Sequence, residues 1–490
     1  MVKRLLIVGA GEAGRMLARE IGTRARDHYL TIGFLDDAPA LAGKQVDGVG
    51  VLGATTDLTA VVRSHHVDEV LIAVPSADRE FVRRMVSLCR DAGVAYRIAP
   101  GLLEIIKGPV HLEQIRDVRP EDLLGRETVE FDDAEIARFL DGRTVLVTGA
   151  GGSIGGEICR QVGRFDVERL VLAGRGENQI YEIERELRAR YPSRDIVPVI
   201  VDVRDAGALA RVFAAHTPEI VYHAAAHKHV HYMEAFPAEA VKNNILGTRN
   251  VIDAAYATGV ARVVMLSTDK AARPGGVMGA SKRFAEYLMA SRNNPDGNPK
   301  LVSVRFGNVL ASRGSVVPLF IAQIRNGGPV TVSHEDATRY FMSQKEACLL
   351  VIQASLMGEG GEIFILQMGA PIRIAELARD LIALSGFKSG SEIRIEFTGL
   401  RPGEKLHESL IADGEETVPS RHEHILCTTP KLPARSRLDA TLAKLEALAA
   451  SGDDDAIRAE LARAIADASL SGGEAVDRSR ERKAKPVKHP

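Results

Sequence analysis

Twice along the chain, a short run of β-branched and aliphatic residues breaks at a glycine-rich turn and resumes as apolar residues at helical spacing. The first unit is "RLLIVGAGEAGRMLAREI" and the second, after residue 142, is "TVLVTGAGGSIGGEICRQV". In such a unit the glycines let the backbone bend sharply and approach a pyrophosphate, which the N-terminus of the next helix stabilises. The pattern predicts an α/β fold: two tandem Rossmann-like, doubly wound parallel sheets, the second with a smaller C-terminal substrate lobe.

The strands of the first domain continue through "TIGFLDD", "VDEVLIAVPS" and "VAYRIAP", with "REFVRRMVSLCRDAG" as a helix, and place this domain at 1–120. Gly9, Gly11 and Gly14 spell GxGxxG, and Asp36 at the next strand end could hold a ribose hydroxyl, although a helix packed closely on its sheet accounts equally well for these glycines. A docked connector is expected at 121–142. The NADP-binding catalytic domain is expected at 143–313, with strands at Val145, "RLVLAGRGEN", "DIVPVIVDVRD", "EIVYHAAAHKHV", "ARVVMLSTDK" and "LVSVRFGNVL". Gly/Pro-punctuated segments at 314–433 predict the substrate lobe. Terminal helices at 434–470 and a disordered tail at 471–490 complete the reading, the tail because it is too poor in apolar residues to fold.

Composition narrows the function. With 45% hydrophobic and 26% charged residues the 490-residue chain is globular, and a formal charge of -2 with no tryptophan argues against a nucleic-acid partner. Cys89, Cys159, Cys348 and Cys427 form no CxxC pair or disulfide framework, which fits a reducing, cytoplasmic location. The N-terminus lacks a signal-peptide cleavage pattern, and no apolar run reaches the length of a membrane span.

The second glycine turn carries the sharper chemistry. Gly149, Gly152 and Gly155, with Ser153 and Ile154 between them, sit between a clear strand and a helix. Arg175 stands near the strand end where an NAD enzyme usually has an acid. A guanidinium there can pair with a 2′-phosphate, so NADP is expected over NAD. Asp202, beside Val203, could accept from an adenine amino group, and the small run with Ala224 and Ala225 suits backbone lying against a cofactor. His223, His227, His229 and His231 invite a metal hypothesis, but no cysteine or close carboxylates complete a tetrahedral set, and no metal is expected. In "STDKAARPGGVMGASKR", Asp269 and Lys270 are adjacent. Lys282 follows Met278 by four residues, where short-chain dehydrogenases place a Tyr-x-x-x-Lys pair.

The motifs TGAGGSIG, HAAAHKHV, KNNILGTRN, STDKA, MGASKR, RFGNVLASRGSVVPLF, TRYFM and RPGEK together resemble the extended short-chain dehydrogenase/reductase superfamily, and within it the bacterial polysaccharide-biosynthesis nucleotide-sugar 4,6-dehydratases. Large members often carry a membrane bundle ahead of the first domain. This sequence has none, so it looks like a soluble member or a soluble fragment. It also departs at His231-Tyr232, where the family usually reads Pro-Leu.

The resemblance implies oxidation at C4 of the sugar, loss of water across C5 and C6, and reduction at C6, with UDP-N-acetylglucosamine as substrate and retention at C5. It implies Asp269 as the acid for O6, Lys270 as the base at C5 and Lys282 on the nicotinamide ribose. With methionine in place of tyrosine, Thr268 is the candidate partner of the C4 hydroxyl. Lys270 must then spend time neutral, which burial and the nearby Lys282 cation would promote. Asn308, Arg339 and Arg401, with His227 and Lys228, are the substrate-binding candidates. A homo-oligomer paired through helices flanking the sheet is expected by resemblance. A nucleotide-sugar epimerase or reductase, or an inactive cofactor-sensing scaffold, are the rival readings.

Overall fold

The computed structural model describes residues 2–99 apart from 75, 76 and 78, then 129, 131–387 apart from 311, and 389–465. The expected end of the first domain near 120, residues 121–128 of the connector, and the tail at 471–490 lie outside the described residues.

The first domain is a six-stranded sheet in the order 45–46, 49–53, 29–35, 3–8, 69–72, 95–98, parallel except for the 45–46/49–53 hairpin. Along Lys3–Val8, Leu5 and Ile7 face helix Glu12–Arg24, while Leu6 and Val8 face helices Leu58–Ser64 and Arg79–Ala92. A strand covered on both faces reads as an uninterrupted apolar run, which is why "LLIV" does not alternate.

Asp132 caps the connector helix Asp133–Leu140 by accepting from the Ala134 and Glu135 amides, and Ile136 and Leu140 bury in the core of the second domain. That domain is a nine-stranded sheet in the order 418–419, 425–428, 363–366, 300–305, 262–266, 220–223, 144–148, 169–174, 196–200. The strands from 363–366 to 196–200 are parallel, and 425–428 and 418–419 add antiparallel at the edge. Strand order reverses between Thr144–Thr148 and Ile220–His223, the point at which doubly wound sheets open a crevice at their carboxyl ends.

The boundary expected at 313 is therefore corrected. "IFIL" at Ile363–Leu366 is fully buried and extends the sheet of the second domain, so the segment 314–433 is shared between the two units. The small lobe is what remains: helices Val316–Arg325 and Ile374–Leu384 and strands Val330–Val332 and Ile395–Phe397, packed around Phe320, Val330 and Leu381.

Helix Val277–Arg292 is buried at every residue from Val277 to Met289. Helices Arg435–Ser451 and Asp454–Ala464 cover it with Leu438, Leu442, Leu445 and Leu461. Among the described residues no helix is long and apolar enough to cross a membrane.

Candidate active site

At the carboxyl end of strand Thr144–Thr148 the chain turns at Gly149, which has φ +71°. A Cβ on Gly149 would lie 2.8 Å from Ala224 and Ala225 backbone atoms, and one on Gly155 would lie 2.2 Å from the Gly149 carbonyl oxygen. Strand, turn and helix can close this tightly only without side chains at those positions. Gly152 begins helix Ser153–Val162 with no side-chain cap, so its first amides face outward unclaimed by a side chain. Gly152, Ser153, Ile154 and Gly155 line a cleft of about 640 Å³. The residues thus fit the pyrophosphate of a dinucleotide.

Around this cradle the predicted residues separate. Ala224 lines the cleft, whereas Ala225 packs towards the core and the Val203 side chain is buried there. Arg175 is half-exposed, with a guanidinium nitrogen 4.0 Å from Asp202. Asp202 is bound by Arg204 through contacts of 2.7–3.1 Å, so its carboxylate is engaged rather than open to an adenine. Burial pushes the Asp202 carboxyl up, but Arg204 holds it below the usual range.

The first domain's turn differs. The Asp36 carboxylate accepts from the Ala10 amide at 2.7 Å, and a Cβ on Gly14 would lie 1.9 Å from the Gly9 carbonyl oxygen. Asp36 thus braces the turn.

The histidines also divide. His223 is buried between the Thr148 and Thr248 hydroxyls at 2.8 and 3.0 Å, and burial pushes it down to about 3, so it is a neutral core residue. His227, His229 and His231 line the cleft. Burial lowers His227, and Arg175 adds to the effect. Among the described residues no three His, Cys, Asp or Glu side chains converge as a metal set.

Strand Arg262–Leu266 runs out into Ser267 and then Thr268, which caps the short turn Asp269–Ala271. Asp269 is fully buried. Its Oδ1 accepts from the Thr268 hydroxyl and from Lys270 Nζ, each at 2.9 Å, while its Oδ2 is buried without a partner. Lys270 Nζ is also 3.4 Å from Asn308 Oδ1 and 3.7 Å from Glu408 Oε1. Burial would lower the Lys270 ammonium, but the Asp269 and Glu408 carboxylates outweigh it and raise it; the cation that opposes them is Arg339. The expectation of a lysine discharged by burial and by Lys282 is thus corrected: two carboxylates hold the resting side chain charged.

Glu408 is the residue that sequence reasoning missed. It is nearly fully buried and lines the same cleft, and its Oε2 has no hydrogen-bond partner. Its signal was its place three residues beyond RPGEK.

Met278 and Lys282 both reach the cleft from helix Val277–Arg292. Burial pushes Lys282 down to about 8 against the opposing effect of Glu286. Beneath them lies a buried ion network: Arg305 contacts Glu286 and Glu415 at 2.8 Å each, and Glu286 accepts from Ser267. Arg339 lines the cleft but spends its donors on the carbonyls of Thr338, Lys405 and Leu406, making it a strut for the RPGEK segment. Lys228 donates to the Arg313 carbonyl at 2.8 Å. Arg401 is exposed at the cleft and free to meet an anion.

Comparison with known proteins bears on the same regions. Residues 145–430 match the polysaccharide biosynthesis protein family, and residues 2–100 match a CoA-binding domain family. The chain is 46% identical over 416 residues to the capsular polysaccharide biosynthesis protein CapD of Staphylococcus aureus, covering 84% of this chain and 69% of that protein. It is 44% identical over 413 residues to the probable polysaccharide biosynthesis protein EpsC of Bacillus subtilis (strain 168), with the same coverage of 84% and 69%. Among solved structures, Pen from Bacillus thuringiensis is similar at 33% identity and a TM-score of 0.55, over 61% of this chain and 89% of that one.

Proposed function

The chain belongs to the polysaccharide biosynthesis protein family, and on that premise we propose that it is an NADP-dependent nucleotide-sugar 4,6-dehydratase. Its substrate on this reading is UDP-N-acetylglucosamine, and its product a 4-keto-6-deoxy sugar nucleotide with C5 configuration retained. The observation that carries the reading is the Asp269–Lys270 pair, an acid and a base 2.9 Å apart at the sheet's carboxyl edge, with Lys270 lining the cleft that begins at the glycine cradle and Asp269 buried beside it.

Bound in the cradle, NADP would accept the C4 hydride and later deliver it to C6. Gly149, Gly152 and Gly155 admit its pyrophosphate, Arg175 turns to its 2′-phosphate and Lys282 holds its nicotinamide ribose. Thr268 takes up the proton of the C4 hydroxyl and passes its own along the 2.9 Å bond to Asp269 Oδ1. A C4 ketone acidifies the neighbouring C5–H, which Lys270 removes, and Asp269 protonates O6 as it departs as water. Positioned acids and bases of this kind each contribute about 10²–10⁴-fold. Met278 closes the wall where a tyrosine would otherwise compete for the C4 proton. Arg401 and Asn308 are left to orient the nucleotide diphosphate and sugar.

The test is incubation of the purified protein with UDP-N-acetylglucosamine and NADP, followed by mass analysis. Loss of one water supports dehydration. An isobaric product would make the protein an epimerase, and no turnover of any nucleotide sugar would leave a scaffold.

A further inference from the structure

Lys270 cannot act as a base in its resting state. Its ammonium is hydrogen-bonded to Asp269 and faces Glu408, with Asn308 beside it and Arg339 and Lys405 as the opposing cations. Once Asp269 holds the proton that O6 needs, it can no longer take the proton of Lys270. A second acceptor is required, and the site contains one. Glu408 is buried, 3.7 Å from Lys270 Nζ, and carries a carboxylate oxygen with no hydrogen-bond partner. A small space of about 10 Å³ touches Lys270, Lys405 and Glu408 and is walled by Val230, Gly275, Gly276, Gly279 and Gly403. That is close to the minimum for one water, roughly 10–15 Å³.

We propose that Glu408 is a third proton-transfer residue, which stores the Lys270 proton while Lys270 works as the base. The inference rests on the dehydratase reading above. The protons balance within the site. Oxidation at C4 releases the hydroxyl proton, and Thr268 relays it to Asp269, forming an O–H bond there. Lys270, now without its anionic neighbour, breaks one N–H bond and forms one O–H bond on Glu408, directly or through a water in the small cavity. The freed lone pair takes the C5 proton, and the C5–H electrons form the enolate. The enolate expels O6, which leaves as water with the Asp269 proton. Lys270 returns its proton to C5 as hydride arrives at C6, and Glu408 then gives the stored proton back to Lys270. The resting charges are restored with no net gain or loss of protons.

The experiment compares wild type, Glu408→Gln and Glu408→Asp with UDP-N-acetylglucosamine across pH 7–10. The proposal expects Glu408→Gln to oxidise C4 at close to the wild-type rate, seen as a transient rise in reduced nicotinamide. Its rate of C5 proton exchange with deuterated solvent should fall about 10²-fold at pH 7, the scale of one acid–base group. Raising the pH towards the ordinary lysine range, about 10.4, should restore much of the exchange, because solvent then discharges Lys270. Glu408→Asp should retain an intermediate rate, and it also carries the test should Glu408→Gln fail to fold. Unchanged C5 exchange in Glu408→Gln, or a loss of C4 oxidation that pH does not relieve, would overturn the proposal in favour of a structural role. If wild type itself loses no water from the substrate, the dehydratase reading fails instead, and the two failures are distinguishable.

Discussion

Met278 and Lys282 stand one helical turn apart on Val277–Arg292, and both reach the cleft from a helix that is otherwise packed on all sides. Residues at i and i+4 share a helix face, so the side chain that ordinarily sets a phenol beside this lysine here sets a thioether. Met278→Leu nearly conserves volume, so it should cost less than about 1.5 kcal/mol in stability and keep most of the activity. Lys282→Met should abolish turnover. Steady-state rates of the two variants side by side check this, and equal loss in both would remove Thr268 from its assigned role.

Asp269→Asn should slow both C4 oxidation and water loss, because the amide can neither take the C4 proton relayed by Thr268 nor supply the O6 proton, so the 6-deoxy product should fall by about 10²-fold or more without build-up of reduced nicotinamide. Lys270→Met should instead halt after C4 oxidation, with reduced-nicotinamide absorbance rising, because C5 keeps its proton. Dehydration by Asp269→Asn at the wild-type rate would refute the assignment.

Arg175 is half-exposed beside the cradle and meets Asp202 only at the limit of an ion pair, 4.0 Å, so its guanidinium is available for a 2′-phosphate. Wild type should bind NADP more tightly than NAD, and Arg175→Ala should narrow the difference by several-fold, an effect of about 1 kcal/mol in an exposed setting. Calorimetric titration with each dinucleotide measures it.

Lys282 sets a pH limit. With its ammonium pushed down to about 8, the ligand-free protein loses that charge as pH rises through 8, and dinucleotide affinity should weaken between pH 7 and 9. Lys282→Met should show a flatter profile. The sign for stability is opposite: the unfolded chain keeps this proton to a higher pH, so between about 8 and 10.5 it binds more protons than the folded one, and this residue's contribution to stability rises with pH.

Arg305 is fully buried between Glu286 and Glu415. Arg305→Met leaves Arg283 as the remaining cation beside two buried carboxylates and should cost about 3–5 kcal/mol, read by urea unfolding. Burial pushes Glu415 up, yet Arg305 and Arg283 draw it down to about 2. Its stabilising effect is therefore present above its ordinary range near 4.5 and is lost as pH falls towards 2. Glu415→Gln should flatten that part of the acid-unfolding curve.

The strand–turn–helix units were legible because each strand is sealed on both faces and shows as an unbroken apolar run. "IFIL" was ambiguous for the same reason: four buried residues fit a lobe or a sheet equally, and what decides is pairing with Lys300–Arg305. The cradle glycines were legible as local geometry. The charge of Lys270 was not, since it depends on Glu408, which the fold brings in from a distant loop. Asp36, Asp202 and Arg339 were sound as residue types, but each has a neighbour that claims its polar atoms.

The cover over Val277–Arg292 also imposes an order of events during synthesis. The helix bearing Met278 and Lys282 leaves the ribosome well before the segments Arg435–Ser451 and Asp454–Ala464, whose leucines seal its outer face. Until those segments emerge, the nascent chain exposes an apolar helix beside an unfinished cleft, the kind of surface that draws aggregation or a chaperone. Helix Val277–Arg292 therefore acquires its final surroundings late in translation, after every residue proposed for the chemistry has already been made.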